Sequence, residues 1–152
     1  MSLAPYGAAI AVAFHVLIEL ALIVRVLLRP HRQPAARIVQ VSSALAFVPL
    51  VVAPLYSATK AAVHAFTVAL REQLKGGPVQ VIELMPPAVK TELHRGQTRE
   101  QIRQMSLEDF TVQAMRGLDA GRDEIAVGLA RVARLGSRLA PRMLLKMVNK
   151  PR

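Results

Sequence analysis

Two short runs rich in β-branched residues are separated by one long helical segment, and this order limits how the chain can fold. Residues 37–43 (RIVQVSS) and 79–84 (VQVIEL) have the composition and the bounding turn residues of strands. Between them, residues 56–75 repeat apolar side chains at helical spacing and end at two glycines. Because a helix between two strands makes a parallel crossover, the sequence predicts an α/β fold.

The flanking segments extend this alternation. Residues 8–28 are apolar nearly all round, as in a buried helix, and prolines follow. Ser106 begins a helix that Gly121 closes, residues 124–127 form a short strand, and residues 129–150 form a helix interrupted at Pro141. No repeat or linker divides the chain, so residues 1–152 are predicted to form a single, partial domain.

The apolar run of residues 7–24 allows two interpretations. Its 18 residues are interrupted only by His15 and Glu19 and are borderline in length for crossing a bilayer. A carboxylate near the middle would cost about 2.5–3.5 kcal/mol if it behaves as Asp does on insertion scales. We therefore expect a buried helix, with a membrane helix as the alternative.

The net charge of +10 favours anionic partners, namely nucleotide phosphates, nucleic acid or an anionic membrane. Four Phe, two Tyr and no Trp leave little for stacking on bases, so we expect no nucleic-acid partner. The absence of cysteine fits a reducing compartment, and we expect a cytoplasmic protein, with association to a membrane surface as an option. His15 and Glu19 lack a third ligand at suitable spacing, so no metal is assigned.

Tyr56 and Lys60 stand four positions apart at the start of the helical segment, in the sequence YSATK. That spacing puts the phenol and the ammonium on one helix face, where the ammonium stabilises a phenolate and suits the phenol to proton transfer. Ser43 ends the preceding strand, and ligands bind at strand ends in open α/β sheets. The non-catalytic alternatives are that Lys60 is simply solvated and that Ser43 only caps the end of the strand.

These three residues, together with the run VQVIELMPPAVKT at 79–91, resemble the short-chain dehydrogenases/reductases. The tail DEIAVG at 123–128 and the arginine-rich end are most similar to a bacterial branch often labelled as teichoic-acid D-alanine esterification oxidoreductases. The resemblance implies the second half of a Rossmann-like, doubly wound parallel sheet. It covers roughly residues 15–150 and leaves residues 1–14 unmatched.

The resemblance also implies an activity: NAD- or NADP-dependent hydride transfer between nicotinamide and a carbonyl or secondary alcohol. Tyr56 would move the proton, Lys60 would bind the nicotinamide ribose and stabilise the phenolate, and Ser43 would orient the substrate. Contacts to the nicotinamide would come from Lys60, Pro87, Val89 and Thr91. Members of the family commonly dimerise, so we expect a homo-oligomer or aggregate formed through the N-terminal and tyrosine-bearing helices.

The sequence departs from the family in its nucleotide-binding features. The Gly-rich turn that wraps the pyrophosphate at a helix N-terminus does not occur here, and neither does the asparagine expected near residues 15–17. We therefore expect that the nucleotide-binding half is missing and that activity of this chain is impaired. The alternative function is a non-catalytic remnant or a membrane-associated protein.

Basic residues recur every three or four positions near the C-terminus, at Arg131, Arg134, Arg138, Arg142, Lys146 and Lys150. An apolar series runs beside them, at Val132, Leu135, Leu139, Met143 and Met147. The first interpretation is a solvated basic face above an apolar face that packs on the core. The second is a helix lying on anionic lipid.

The missing turn generates the first testable prediction. The purified chain should not bind NADH or NADPH tightly, because no pyrophosphate cradle is encoded in it. Calorimetric titration with each dinucleotide measures this directly. Micromolar binding of either one would contradict the prediction.

Overall fold

The computed structural model describes residues 36–90 and 104–150. The strands are β1 (Ala36–Val41), β2 (Val79–Met85) and β3 (Glu124–Ala126). The helices are α1 (Pro54–Gln73), α2 (Leu107–Asp119), α3 (Leu129–Leu139) and α4 (Pro141–Val148), and a 3-10 turn, Ala44–Ala46, follows β1.

The three strands form one parallel sheet in the order β1-β2-β3. The β1–β2 register runs from Ala36 opposite Val79 to Val41 opposite Leu84, and β3 pairs with the last residues of β2. All three strands therefore end at the same edge. The predicted α/β class with a parallel sheet is confirmed.

Helices cover both faces of β2. On one face Val81 packs against Leu70 of α1, with Ile38, Phe66 and Leu74 around them. On the other face Ile82 joins Ile125 and Val127, and side chains of α2 complete the cluster. A strand buried on both faces is typical of doubly wound parallel sheets and explains why VQVIEL reads as a nearly continuous apolar run.

The predicted elements agree with the observed ones to within a few residues. Helix α1 begins at Pro54, two positions before the prediction, because proline is well suited to the first helical turn. Strand β1 ends at Val41, so Ser42 and Ser43 follow the strand. Ser106 caps α2 through its side chain, and the C-terminal helix breaks at Ala140, immediately before Pro141.

One sequence interpretation is wrong: the apolar series of the C-terminal helices does not pack on the core. All five of its members are exposed, with Leu139 reaching 76% and Leu135 reaching 61%. Ala130 and Leu144 are the buried residues of α3 and α4. Hydrophobic periodicity shows that a helix has two faces but does not show which of them meets the core.

Two further predictions, the helix at 8–28 and the bilayer-length run at 7–24, lie outside the described residues. Within residues 36–90 and 104–150, no helix has the length and apolarity needed to cross a membrane.

The packing of α2 on β3 generates the second prediction, through Gly117. A Cβ at this buried position would lie 2.6 Å from Cγ2 and 2.9 Å from Cγ1 of Ile125. Gly117→Ala should lower the free energy of unfolding by about 1–3 kcal/mol, measured by urea denaturation. Helix propensity alone favours alanine over glycine by about 1 kcal/mol. A variant more stable than the parent would therefore mean that Ile125 does not pack closely on position 117.

Candidate active site

Ser43 lies directly beyond the carboxyl end of β1. The backbone pairing with the β2 side continues on both sides of it, since the Ser42 N–H donates to Leu84 O and the Ala44 N–H donates to Pro86 O, both at 3.0 Å. Its Oγ accepts a hydrogen bond from the Leu45 N–H at 3.2 Å and caps the 3-10 turn. Ser43 therefore caps the 3-10 turn and not the strand end, and its hydroxyl hydrogen remains able to donate a further hydrogen bond.

Tyr56 and Lys60 occupy one face of the first turns of α1, and both are half-buried. The Lys60 Nζ lies 5.9 Å from the centroid of the Tyr56 ring. The same ammonium donates a hydrogen bond to Val41 O at 2.9 Å. Lys60 thus ties the tyrosine-bearing helix to the end of β1, two residues before Ser43.

The loop between Ser43 and Tyr56 is held from two directions. The Ser57 Oγ accepts from the Leu50 N–H at 3.1 Å and donates to Ala53 O at 3.0 Å. Asn149, just after α4, accepts from the Val51 N–H at 2.8 Å and donates to Pro49 O at 2.9 Å. The C-terminal helices therefore help to set where α1, and with it Tyr56, begins.

A buried polar network lies beneath this edge of the sheet. Glu83 of β2 is fully buried and accepts from the Ser42 hydroxyl at 2.5 Å. The His64 Nδ1 lies 3.0 and 2.9 Å from the two carboxylate oxygens, and its ring meets Phe47 edge-on. The Ser42 hydroxyl is the donor to Glu83 Oε1, and the His64 Nδ1 shares the same carboxyl group.

This network is not a nucleophilic triad. In such triads the imidazole contacts the hydroxyl and the carboxylate orients the imidazole. Here the Glu83 carboxylate receives both Ser42 and His64. The arrangement can fix the spacing of three elements. Ser42 follows β1, Glu83 lies on β2 and His64 lies on α1.

Pro87 and Val89 follow the carboxyl end of β2. Val89 is buried and forms an isolated parallel bridge with Met105, in which the Met105 N–H donates to Ala88 O and the Lys90 N–H donates to Met105 O. This bridge uses the amide groups on either side of Val89, not its own N–H and C=O. Thr91 lies outside the described residues.

Sequence reasoning missed Ser42, His64, Glu83 and Asn149. Two signals were present: Glu83 is an acid within the mostly apolar run of β2, and His64 is one helical turn after Lys60. Across residues 36–90 and 104–150, no three His, Asp or Glu side chains gather as a metal site would require.

The sequence pattern that defines the short chain dehydrogenase family matches residues 6–102, well over half of the chain. The protein belongs to this family. Within the family it is related to the DltE branch. It is 46% identical over 104 residues to the uncharacterized oxidoreductase DltE of Bacillus subtilis (strain 168). That alignment spans 65% of this chain and 41% of the relative.

Solved structures agree with this assignment. A short chain dehydrogenase from Burkholderia cenocepacia J2315 in complex with NADP superposes with a TM-score of 0.66 at 26% identity, over 77% of this chain and 48% of that one. A short chain dehydrogenase/reductase from Burkholderia phymatum in complex with NAD gives 0.54 at 20% identity, covering 78% and 50%. The chain spans about half of these proteins, and the predicted Rossmann-like fold class is confirmed.

The buried network generates the third prediction. In a double-mutant cycle on unfolding, Ser42→Ala and Glu83→Gln should couple by about 0.5–3 kcal/mol, because both changes act on one buried hydrogen bond. Urea denaturation of the four proteins gives the coupling free energy. A parallel cycle of Ser42→Ala with Thr111→Ala, an exposed position on α2, should be additive. Additive effects in both cycles would mean that the network is not formed.

Proposed function

We propose that the protein acts as an NAD(P)-dependent oxidoreductase that transfers hydride between nicotinamide and a carbonyl or secondary alcohol. The observation that supports this most is the double engagement of Lys60. Its ammonium lies beside the Tyr56 ring and is hydrogen-bonded to Val41 O, close in sequence to Ser43. This supports the proposal, because the hydrogen bond links the helix that carries Tyr56 and Lys60 to the strand that Ser43 follows.

Each residue has a distinct part in the proposed reaction. Tyr56 gives its phenolic proton to the substrate oxygen during reduction, or takes the proton during oxidation. Lys60, as a cation beside the ring, stabilises the phenolate that reduction leaves. Ser43 donates its hydroxyl hydrogen to the same substrate oxygen, while its own oxygen accepts from the Leu45 N–H.

The residues at the end of β2 fit a nicotinamide. When bound, the cofactor supplies or accepts the hydride. The Val89 N–H and C=O, which the Met105 bridge does not use, suit a carboxamide, which has both a donor and an acceptor. Pro87 would border the ring, Lys60 would reach the ribose, and Thr91 would add a hydroxyl. The NADP and NAD in the two solved relatives support this cofactor class.

We also propose a cytoplasmic homo-oligomer, assembled through α1 and through the segment at residues 8–28 for which the sequence predicts a helix. The support is an exposed row of small or apolar side chains on α1, recurring every three or four residues: Leu55, Ala58, Ala62, Ala65 and Ala69. Small side chains let two helices approach closely.

The catalytic assignment generates the fourth prediction. The chain is joined to the N-terminal half of a family member, and carbonyl reduction is followed by NAD(P)H absorbance. Tyr56→Phe removes only the hydroxyl, so the rate should fall at least about 10²-fold while the fold persists.

Tyr6 is the only other tyrosine, and Tyr6→Phe is the matched control that should leave the rate unchanged. Ser43→Ala should also lower the rate. If Tyr56→Phe were as active as the parent, Tyr56 would be excluded as the proton donor.

A further inference from the structure

The C-terminal helices combine positive charge with exposed apolar side chains. Residues 129–150 contain six Lys and Arg residues and no acid. Within this segment, α3 and α4 meet at Ala140, and Asn149 binds the loop before α1. The two helices are thus a fixed part of the domain whose outer surface is both basic and apolar.

The apolar side of α3 points away from the protein. Ala130 is fully buried and marks the side that packs inward. At about 100° per residue, Val132, Leu135 and Leu139 lie on roughly the opposite side. All three are more than half exposed. A surface helix of a globular protein has the reverse arrangement, with its apolar stripe on the core.

Helix α4 continues this surface. Leu144 is buried and anchors the helix, whereas Met143 and Met147 are exposed, at 66% and 56%. Arg142 and Lys146 are also exposed. The surface formed by α3 and α4, here called the basic-apolar surface, therefore carries leucine and methionine side chains bordered by cations.

Three arginines beside this surface line a cleft of about 250 Å³. Its walls are Ala126, Arg131, Arg134, Leu135 and Arg138. The Arg131 Nε donates to Ala126 O at 2.8 Å, and Arg134 pairs with Glu124, so two guanidinium groups are held in place. Guanidinium groups fixed in this way are suited to phosphate groups.

We propose that the basic-apolar surface docks the protein on a membrane that contains anionic lipids. The leucine and methionine side chains would enter the interface between headgroups and acyl chains, and the arginines would contact the phosphates. This binding is additional to the proposed oxidoreductase activity and does not depend on it.

Charge argues against the other possible occupants. A second copy of this surface would bring its basic residues against those of the first, and of these six cations only Arg134 is described above as paired with an acid, Glu124. The apolar residues 1–35 of the same chain bring Arg25, Arg29 and Arg32 against a single acid, Glu19. An anionic lipid surface supplies both the negative charge and the apolar interior.

Fluorescence tests the proposal cleanly because the full chain has no tryptophan. Leu139→Trp places a reporter on the basic-apolar surface, and Val112→Trp places a control at an exposed apolar position of α2. With vesicles of phosphatidylcholine and phosphatidylglycerol, Leu139→Trp should shift to the blue and be quenched by brominated acyl chains. Val112→Trp should change little, and pure phosphatidylcholine should bind far less.

A charge-matched comparison completes the test. Each cation near an anionic surface strengthens binding about fivefold, so Arg138→Gln with Arg142→Gln should weaken vesicle binding on the order of 30-fold. Arg116→Gln with Arg122→Gln removes the same charge from exposed positions around the end of α2 and should have a much smaller effect.

Three results would overturn the proposal. The first is no blue shift with anionic vesicles, or an equal shift with neutral ones. The second is equal weakening by the two arginine pairs. The third is a blue shift that appears without vesicles and grows with protein concentration, which would show that a second copy covers the surface.

Discussion

The candidate site depends on the contacts of Ser42 and His64 with the buried carboxyl group of Glu83. A carboxylate removed from water costs several kcal/mol unless hydrogen bonds replace its hydration. Here Ser42, beyond β1, and His64, on α1, supply those hydrogen bonds. Ser43 follows Ser42 directly, and Lys60 lies one helical turn before His64. Both Ser43 and Lys60 belong to the proposed catalytic set. Satisfying one buried acid therefore also sets the spacing between the strand end and the tyrosine-bearing helix.

The order of strands and helices could be predicted because its signals are local. Turn residues and periodicity define each element within a few positions, as with Ser106 and Pro141. The site was predictable only in part. Glu83 looks like an ordinary polar position in a strand until its partners, 41 and 19 residues away, are known. Asn149 is 98 residues from Val51, and nothing near it in sequence indicates that contact.

The C-terminal helices show a different limit. Their alternation of arginine with leucine or methionine predicted two faces, and this was right. Assigning the apolar face to the core was wrong, because the buried residue of α3 is the small Ala130. Burial depends on available volume as well as on polarity, and close packing near β3 favours a short side chain. Leu144 finds such a place in α4, whereas the five large apolar residues of the series stay exposed.

Several contacts that hold the proposed catalytic residues lie within residues 36–90 and 104–150. Lys60 binds Val41, the Leu45 N–H binds Ser43, and Asn149 holds the loop before α1. The proposed proton-transfer residues Tyr56 and Lys60 thus lie on α1, and Ser43 follows β1. Dinucleotide affinity, by contrast, depends in this fold on a Gly-rich turn at a helix N-terminus. Proton transfer and dinucleotide affinity thus rest on different features of this fold, and the proposed residues Ser43, Tyr56 and Lys60 bear on the first.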